Sequence, residues 1–255
     1  MAHSPLSSVE STTYHAMPDP GHLQKAAFKA FAASPAIDSL AGCDNATSLW
    51  RTTSCSRNAF LHESLLDEMA ASGNTDPLTL RRKLMAPYPV AMKLLDAIAV
   101  MSDWGTPLPM GRARGLTFIL TSGTWIAEVA EVSLHETGIR IEKFFCAADA
   151  GYVADQRSYR TQMISDIVKG LSIATGRDIA FPGSVLEQIG RADLGSQRIY
   201  QCPEVEVELL SNSKRSEDDA EQATPQVIAA LANAVSALTG KRLHRAPLFE
   251  GVSFV

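Results

Sequence analysis

The sequence predicts an α+β domain, a mostly antiparallel sheet with helices packed on it. Two observations carry this. Apolar residues recur at helical spacing along 58–72, 89–101, 156–174 and 224–239, whereas 115–121, 123–134, 138–149 and 203–210 are β-rich runs. The change of period comes at Arg114, and a hairpin signature follows it directly.

Residues 1–45 read as an N-terminal arm, rich in Ser, Thr and Pro at its start, with a short helix at His22–Ala33. Residues 46–255 read as the folded domain, opening with a turn-rich stretch up to Arg57. Asn58 is placed to cap a helix ending near Gly73, with Leu61, Leu65, Leu66 and Met69 as its apolar stripe. Glu63, Asp67 and Glu68 fall on the other side, where a charge cluster reads as solvated surface. Asp76-Pro77 restarts a helix, with Arg81, Arg82 and Lys83 toward its C-terminal end. Pro89 opens a third, which stops in the breaker-rich SDWGTPLPMG.

GLTFILT and GTWIAEVAEVSL then form strands on either side of Ser122-Gly123. HETG is a turn, and GIRIEKFFCAAD returns as a third strand. Gln156–Ala174 is helical, with Tyr159, Met163, Ile167, Val168 and Leu171 toward one side. IAFPGSVLEQ reads as strand–turn–strand around Pro182-Gly183. PEVEVELL alternates cleanly, with Val205, Val207 and Leu209 on one face and Glu204, Glu206 and Glu208 on the other.

The last helix stands apart. Thr224 can cap it, Pro225 suits its first turn, and Gly240 is a natural left-handed stop. No charged residue lies between Gln222 and Gly240, so the helix should be buried. Glu221 sits just ahead of its N-terminus. That carboxylate is either a catalytic base or a group that stabilises the positive end of the helix dipole.

Composition narrows the function classes. A formal net charge of −5 argues against nucleic acid as the main partner. Cys43, Cys55, Cys146 and Cys202 match no zinc or iron–sulfur spacing, and the six histidines form no metal motif. No protein-ligated metal site is therefore expected. The first twenty residues do not have the form of a secretory signal, and no run is apolar for long enough to span a bilayer. That points to the cytoplasm, or to the periplasm by export together with a partner.

Four strings, taken together, resemble the large subunits of the molybdenum hydroxylases, the xanthine oxidase and aldehyde oxidase family. LWRTTSCSRNAFLHESLLDEMAASGNTDP is similar to the family's W-R-S-V-x-x-S-x-N-A-F-x-x-E-S-x-x-D-E-x-A-x-x-x-G-x-D-P. WGTPLPMGRARGLTF resembles its G-R-G-R-G-x-A segment, and IRIEKFFCAADAG its strand ending in C-A-x-D-x-G. EQATPQVIAALANAVSALTGKRLHRAPL is similar to its closing helix, G-E-P-G-T-P-P-x-A-P-A-x-A-N-A-x-x-x-x-T-G-x-R. Order and spacing agree from about Leu49 onward, nearest to isoquinoline 1-oxidoreductase large (beta) subunits and related aldehyde dehydrogenases.

The resemblance implies the family's second molybdopterin-binding domain. It implies a molybdenum–molybdopterin cofactor, as the cytosine dinucleotide, and oxidation of an aldehyde or aromatic N-heterocycle with water as oxygen donor. Glu221 matches the family's general base, although Asp219-Ala220 replaces the glycine-containing lead-in. Gln162 matches the cofactor-contacting glutamine of Q-x-E-G-G, but Ile164-Ser165-Asp166 replaces E-G-G. Arg51 matches the arginine of the segment passing near the metal. Family large subunits are much longer, so a longer molybdopterin-binding chain and a separate iron–sulfur subunit are the implied partners, with no cluster on this chain. The changed positions leave a second reading open, a degenerate scaffold or partner-binding module of the same fold.

Overall fold

A computed structural model describes residues 53–121, 124–176, 201–210, 224–246, 248 and 252–255. The helices are α1 (Thr53–Ser72), α2 (Pro77–Met85), α3 (Pro89–Met101), α4 (Gln156–Thr175) and α5 (Thr224–Thr239). The strands are β1 (Arg112–Thr121), β2 (Thr124–His135), β3 (Gly138–Asp149) and β4 (Glu204–Leu210), in the sheet order β1-β2-β3-β4. β1, β2 and β3 pair antiparallel, so the expected mostly antiparallel sheet is what forms. β4 joins β3 in parallel, because the chain leaves β3 through α4 before it returns. The His22–Ala33 helix, the N-terminal arm and the IAFPGSVLEQ strands lie outside the described residues.

The starts and stops follow local chemistry. Asp76 caps α2 by accepting the Thr79 N–H at 2.8 Å, with Pro77 next in line. Asp155 caps α4 by accepting from the N–H groups of Arg157 and Ser158. Gly240, at φ 71°, ends α5 in the left-handed region. α1 departs from expectation: it begins at Thr53, so Asn58 lies within it and is not its cap. The stretch TSCSR contains neither Gly nor Pro, and Thr53 and Ser54 are cap-forming types themselves, so nothing local stops the helix from running back.

The sheet has an apolar layer on each side. Ile126, Ala130, Phe144 and Ala148 face Met163, Ile167 and Leu171 of α4 and Leu231 and Val235 of α5. The intervening residues Ala127, Val129, Phe145 and Ala147 face Leu94, Leu95 and Ile98 of α3. Cover on both faces explains why β2 and β3 read as nearly continuous apolar runs. α5 lies directly on β1: a Cβ at Gly115 would stand 2.1 Å from the Ala234 nitrogen and 2.4 Å from the Ala230 carbonyl oxygen. The alanines of α5 and the absence of a side chain at Gly115 together allow that approach.

The charge cluster on α1 is a correction. Glu63 and Asp67 are buried, whereas Met69 of the expected apolar stripe is exposed. The buried face is built from Ala59, Phe60, Glu63, Leu66, Asp67 and Ala70, so the helix is rotated from the orientation that hydrophobicity alone favours. The cause is Arg81 of α2. It turns inward instead of capping its own helix end, and it neutralises the acids on α1.

Candidate functional site

Two buried polar clusters lie along α5, one at each end. At its C-terminal half, Glu63 is 0% and Arg81 1% exposed in their side chains. Arg81 donates from Nε and Nη2 to Glu63 Oε2, at 3.0 and 2.8 Å. The same oxygen accepts the Phe118 backbone N–H at 2.9 Å. Asn233 of α5 donates to the carbonyls of Leu116 and Glu63, at 3.1 and 3.3 Å, and accepts from Arg242 at 2.9 Å. Burial pushes the Glu63 carboxyl up, but Arg81, His62 and the Phe118 N–H outweigh it and hold the group below its ordinary range. Asp67 goes the other way, because its burial outweighs Arg81 and Arg242. Among the described strands β1 lies at the sheet edge, and this cluster supplies partners to its Phe118 N–H and Leu116 C=O groups. Its work is structural.

The second cluster sits under the N-terminal head of α5. Thr117, Glu128 and Cys146 form one row across β1, β2 and β3. This row lies on the α4/α5 side, since Cys146 packs in that layer and Glu128 alternates with Ile126 and Ala130. Glu128 is 0% exposed, and neither carboxylate oxygen has a hydrogen-bond partner. Burial first, and Asp166 of α4 second, push its carboxyl well above the ordinary range. The Cys146 thiol is pushed up by burial and by the same two acids, so it is not an activated nucleophile. From α5, Gln226 is 0% exposed with both amide atoms unpartnered, and the Thr224 hydroxyl donates to the Asp166 carbonyl at 3.1 Å. Thr224 thus fastens α5 to α4 through its side chain.

Of the sequence-predicted site residues, Gln162 is exposed on α4, one turn before Asp166. Glu221 and Arg51 lie outside the described residues. In sequence Glu221 precedes Thr224 by three positions, in the segment that enters the α5 head. Asp166 is buried and acts electrostatically on Glu128 and Cys146. Sequence reasoning misses Glu128, although a period of two along IAEVAEV places it with Ile126 and Ala130 on the buried face.

Ser133, His135 and Glu142 imitate a nucleophile–base set on the sheet. Ser133 Oγ is 2.9 Å from His135 Nε2 and donates to Glu142 Oε1 at 2.6 Å. The Ser133 hydrogen bond holds Glu142 below its ordinary range, so the carboxylate takes the only hydroxyl proton. His135 Nε2 must then donate to Ser133, so the imidazole cannot serve as the serine's base. Among the described residues no three His, Cys, Asp or Glu side chains are grouped to hold a metal ion.

No family model matches the chain. The isoquinoline 1-oxidoreductase beta subunit of Brevundimonas diminuta is 29% identical over 194 residues, covering 74% of this chain and 25% of that protein. A nicotinate dehydrogenase subunit of Pseudomonas putida is 25% identical over 221 residues, covering 78% of this chain and 18% of that protein. The aldehyde oxidoreductase of Desulfovibrio gigas superposes with a TM-score of 0.61 at 12% identity, over 78% of this chain and 40% of that one. In sequence and in fold the chain is similar to the molybdenum hydroxylase large subunits.

The chain spans a quarter or less of the length of the two curated relatives. Each of the two is one subunit of its enzyme. Among the described residues, no helix is long and apolar enough to cross a membrane. On α4, Gln162 is exposed and Asp166 is buried. Ser165 and Asp166 stand where the resembling motif has two glycines, which lack side chains and let backbone come closest to a ligand.

Proposed function

We propose that the chain is the C-terminal molybdopterin-binding portion of a molybdenum hydroxylase that oxidises an aldehyde or an aromatic N-heterocycle with water as oxygen donor. It is active only with partner chains. The observation that supports this best is that likeness in sequence and likeness in fold point to the same group of enzymes.

The molybdenum–molybdopterin group, as the cytosine dinucleotide, supplies the two-electron oxidation when bound. This chain contributes the rest of one wall. Gln162 would hydrogen-bond to the pterin from the exposed side of α4, and Arg51 would neutralise negative charge on the group. Glu221 is the general base. It stands three positions ahead of α5 in sequence, and a carboxylate near a helix N-terminus is favoured in its ionised, proton-accepting form. A longer chain completes the cleft, and an iron–sulfur subunit takes the electrons.

The test is isolation of the chain from its source with whatever accompanies it, followed by molybdenum analysis and turnover on aldehydes and N-heterocycles. Molybdenum should co-purify with the chain, together with a longer molybdopterin-binding partner and an iron–sulfur partner. Glu221→Gln should lower kcat by about 10²–10⁴-fold, the usual worth of a general base, with the complex intact. Absence of both partner and metal overturns the reading.

A second reading has its own support. Asp166, where the family places glycine, is packed into the interior against α5, as in a domain kept for its packing. A scaffold of this kind predicts that Glu221→Gln leaves the turnover of the complex unchanged.

A further inference from the structure

We propose that Glu128 and Asp166 form a proton-operated latch beneath the head of α5, closed while the pair holds a proton and loosened when both carboxyls are ionised. The latch does not depend on the enzymatic activity. It starts from position. Glu128 stands on a central strand, flanked by β1 and β3 and roofed by α4 and α5. Thr117 from β1 and Cys146 from β3 stand beside it in one row, Asp166 of α4 acts on it electrostatically, and Thr224 and Gln226 are buried in the head of α5. Among the described residues that set contains one further carboxyl, one thiol and no cation acting on Glu128.

A protonated Glu128 is a neutral group that can donate one hydrogen bond, and the buried Gln226 and Thr117 oxygens lack partners. An ionised Glu128 is a second negative charge in a dry space already acted on by Asp166, and it must reach water. The sheet closes one side of Glu128, and among the described residues α4 and α5 cover the other. The α5 head is held to α4 by the Thr224 hydroxyl on the Asp166 carbonyl and by Val227 seated against Gly170. A Cβ at Gly170 would stand 2.7 Å from the Val227 side chain, so this seat is tight and specific. Ionisation therefore acts on the joint between α4 and α5 and leaves α3, on the opposite face, untouched.

The experiment is amide hydrogen exchange on the full chain as a function of pH, corrected for the intrinsic pH dependence of exchange. Amides of Ile228–Leu231 should exchange at least about tenfold faster once the pH passes the point where Glu128 ionises, with α3 amides unchanged. In Glu128→Gln, a near-isosteric change, that acceleration should vanish. In Asp166→Asn, which removes the like charge and keeps Glu128, its midpoint should move to lower pH. The proposal is overturned by a flat wild-type profile, by the same acceleration in Glu128→Gln, or by an Asp166→Asn midpoint that does not move. The third measurement stands even where the first variant fails to fold.

Discussion

Arg81 Nη2 lies 2.8 Å from Glu63 Oε2, in an ion pair whose two side chains are almost wholly withdrawn from water. Two charges buried together stabilise a fold only weakly relative to a well-packed apolar pair, but one left alone is costly. Arg81→Ala should therefore destabilise the chain by about 3–5 kcal/mol in urea unfolding. The double variant Glu63→Leu, Arg81→Met should recover part of that loss. Recovery will be incomplete, because the Phe118 N–H loses the acceptor that Glu63 gives it.

The two buried glutamates give opposite pH dependence. Glu63 is lowered from its ordinary 4.5, so its contribution is present above the unfolded value and is lost as pH falls through the folded one. Glu128 is raised, so its contribution is full below the unfolded value and is lost as pH rises through the folded one. Unfolding free energy against pH should fall on both sides. Glu63→Gln should flatten the acid limb, and Glu128→Gln the limb that declines toward higher pH. Chemical denaturation at a series of pH values reads both. Interchanged effects would show that the environments are assigned wrongly.

Gly115 and Gly170 carry the helix contacts, and they differ in what an added methyl would meet. At Gly115 the obstacles are the Ala234 and Ala230 backbone, which cannot move without shifting α5. At Gly170 the obstacle is the Val227 side chain. Gly115→Ala should abolish cooperative folding or cost more than the about 1–3 kcal/mol typical of overpacking, and Gly170→Ala should stay within that range. Thermal melts of the two variants decide the order.

What the sequence made legible was whatever one element reports about itself. The β1–β2–β3 meander, the Asp76-Pro77 restart and the Gly240 stop depend on local chemistry, and each stands where the sequence puts it. The resemblance, too, is readable, because it rests on strings. The polar interior is not. Whether Glu63 faces water or Arg81 depends on a residue eighteen positions away, and hydrophobic periodicity counts every acid as surface. Glu128 shows the same failure in a strand whose own alternation assigns it to the buried face. Of the three candidate site residues, Gln162 alone falls on a described element, and its exposure leaves it available to a ligand without assigning one.

Asn233 is a sharper probe of the same interior. It sits in the C-terminal half of the uncharged α5, and its amide is used in both senses, donating to the Leu116 and Glu63 carbonyls and accepting from Arg242. Asn233→Asp keeps the shape and the acceptor but removes the two donations. It would also add a charge facing two carbonyl oxygens. Arg242 at 2.9 Å compensates only in part, since it is already shared with Asp67 at 3.4 Å. Asn233→Asp should therefore destabilise by more than Asn233→Ala, which leaves those groups unpaired at about 1–3 kcal/mol but adds no charge. If an added ion pair with Arg242 were the dominant effect, Asp would be the milder change. Urea unfolding of the two variants at neutral pH separates these outcomes, and raising the salt concentration should leave their order unchanged, because the site is screened from solvent.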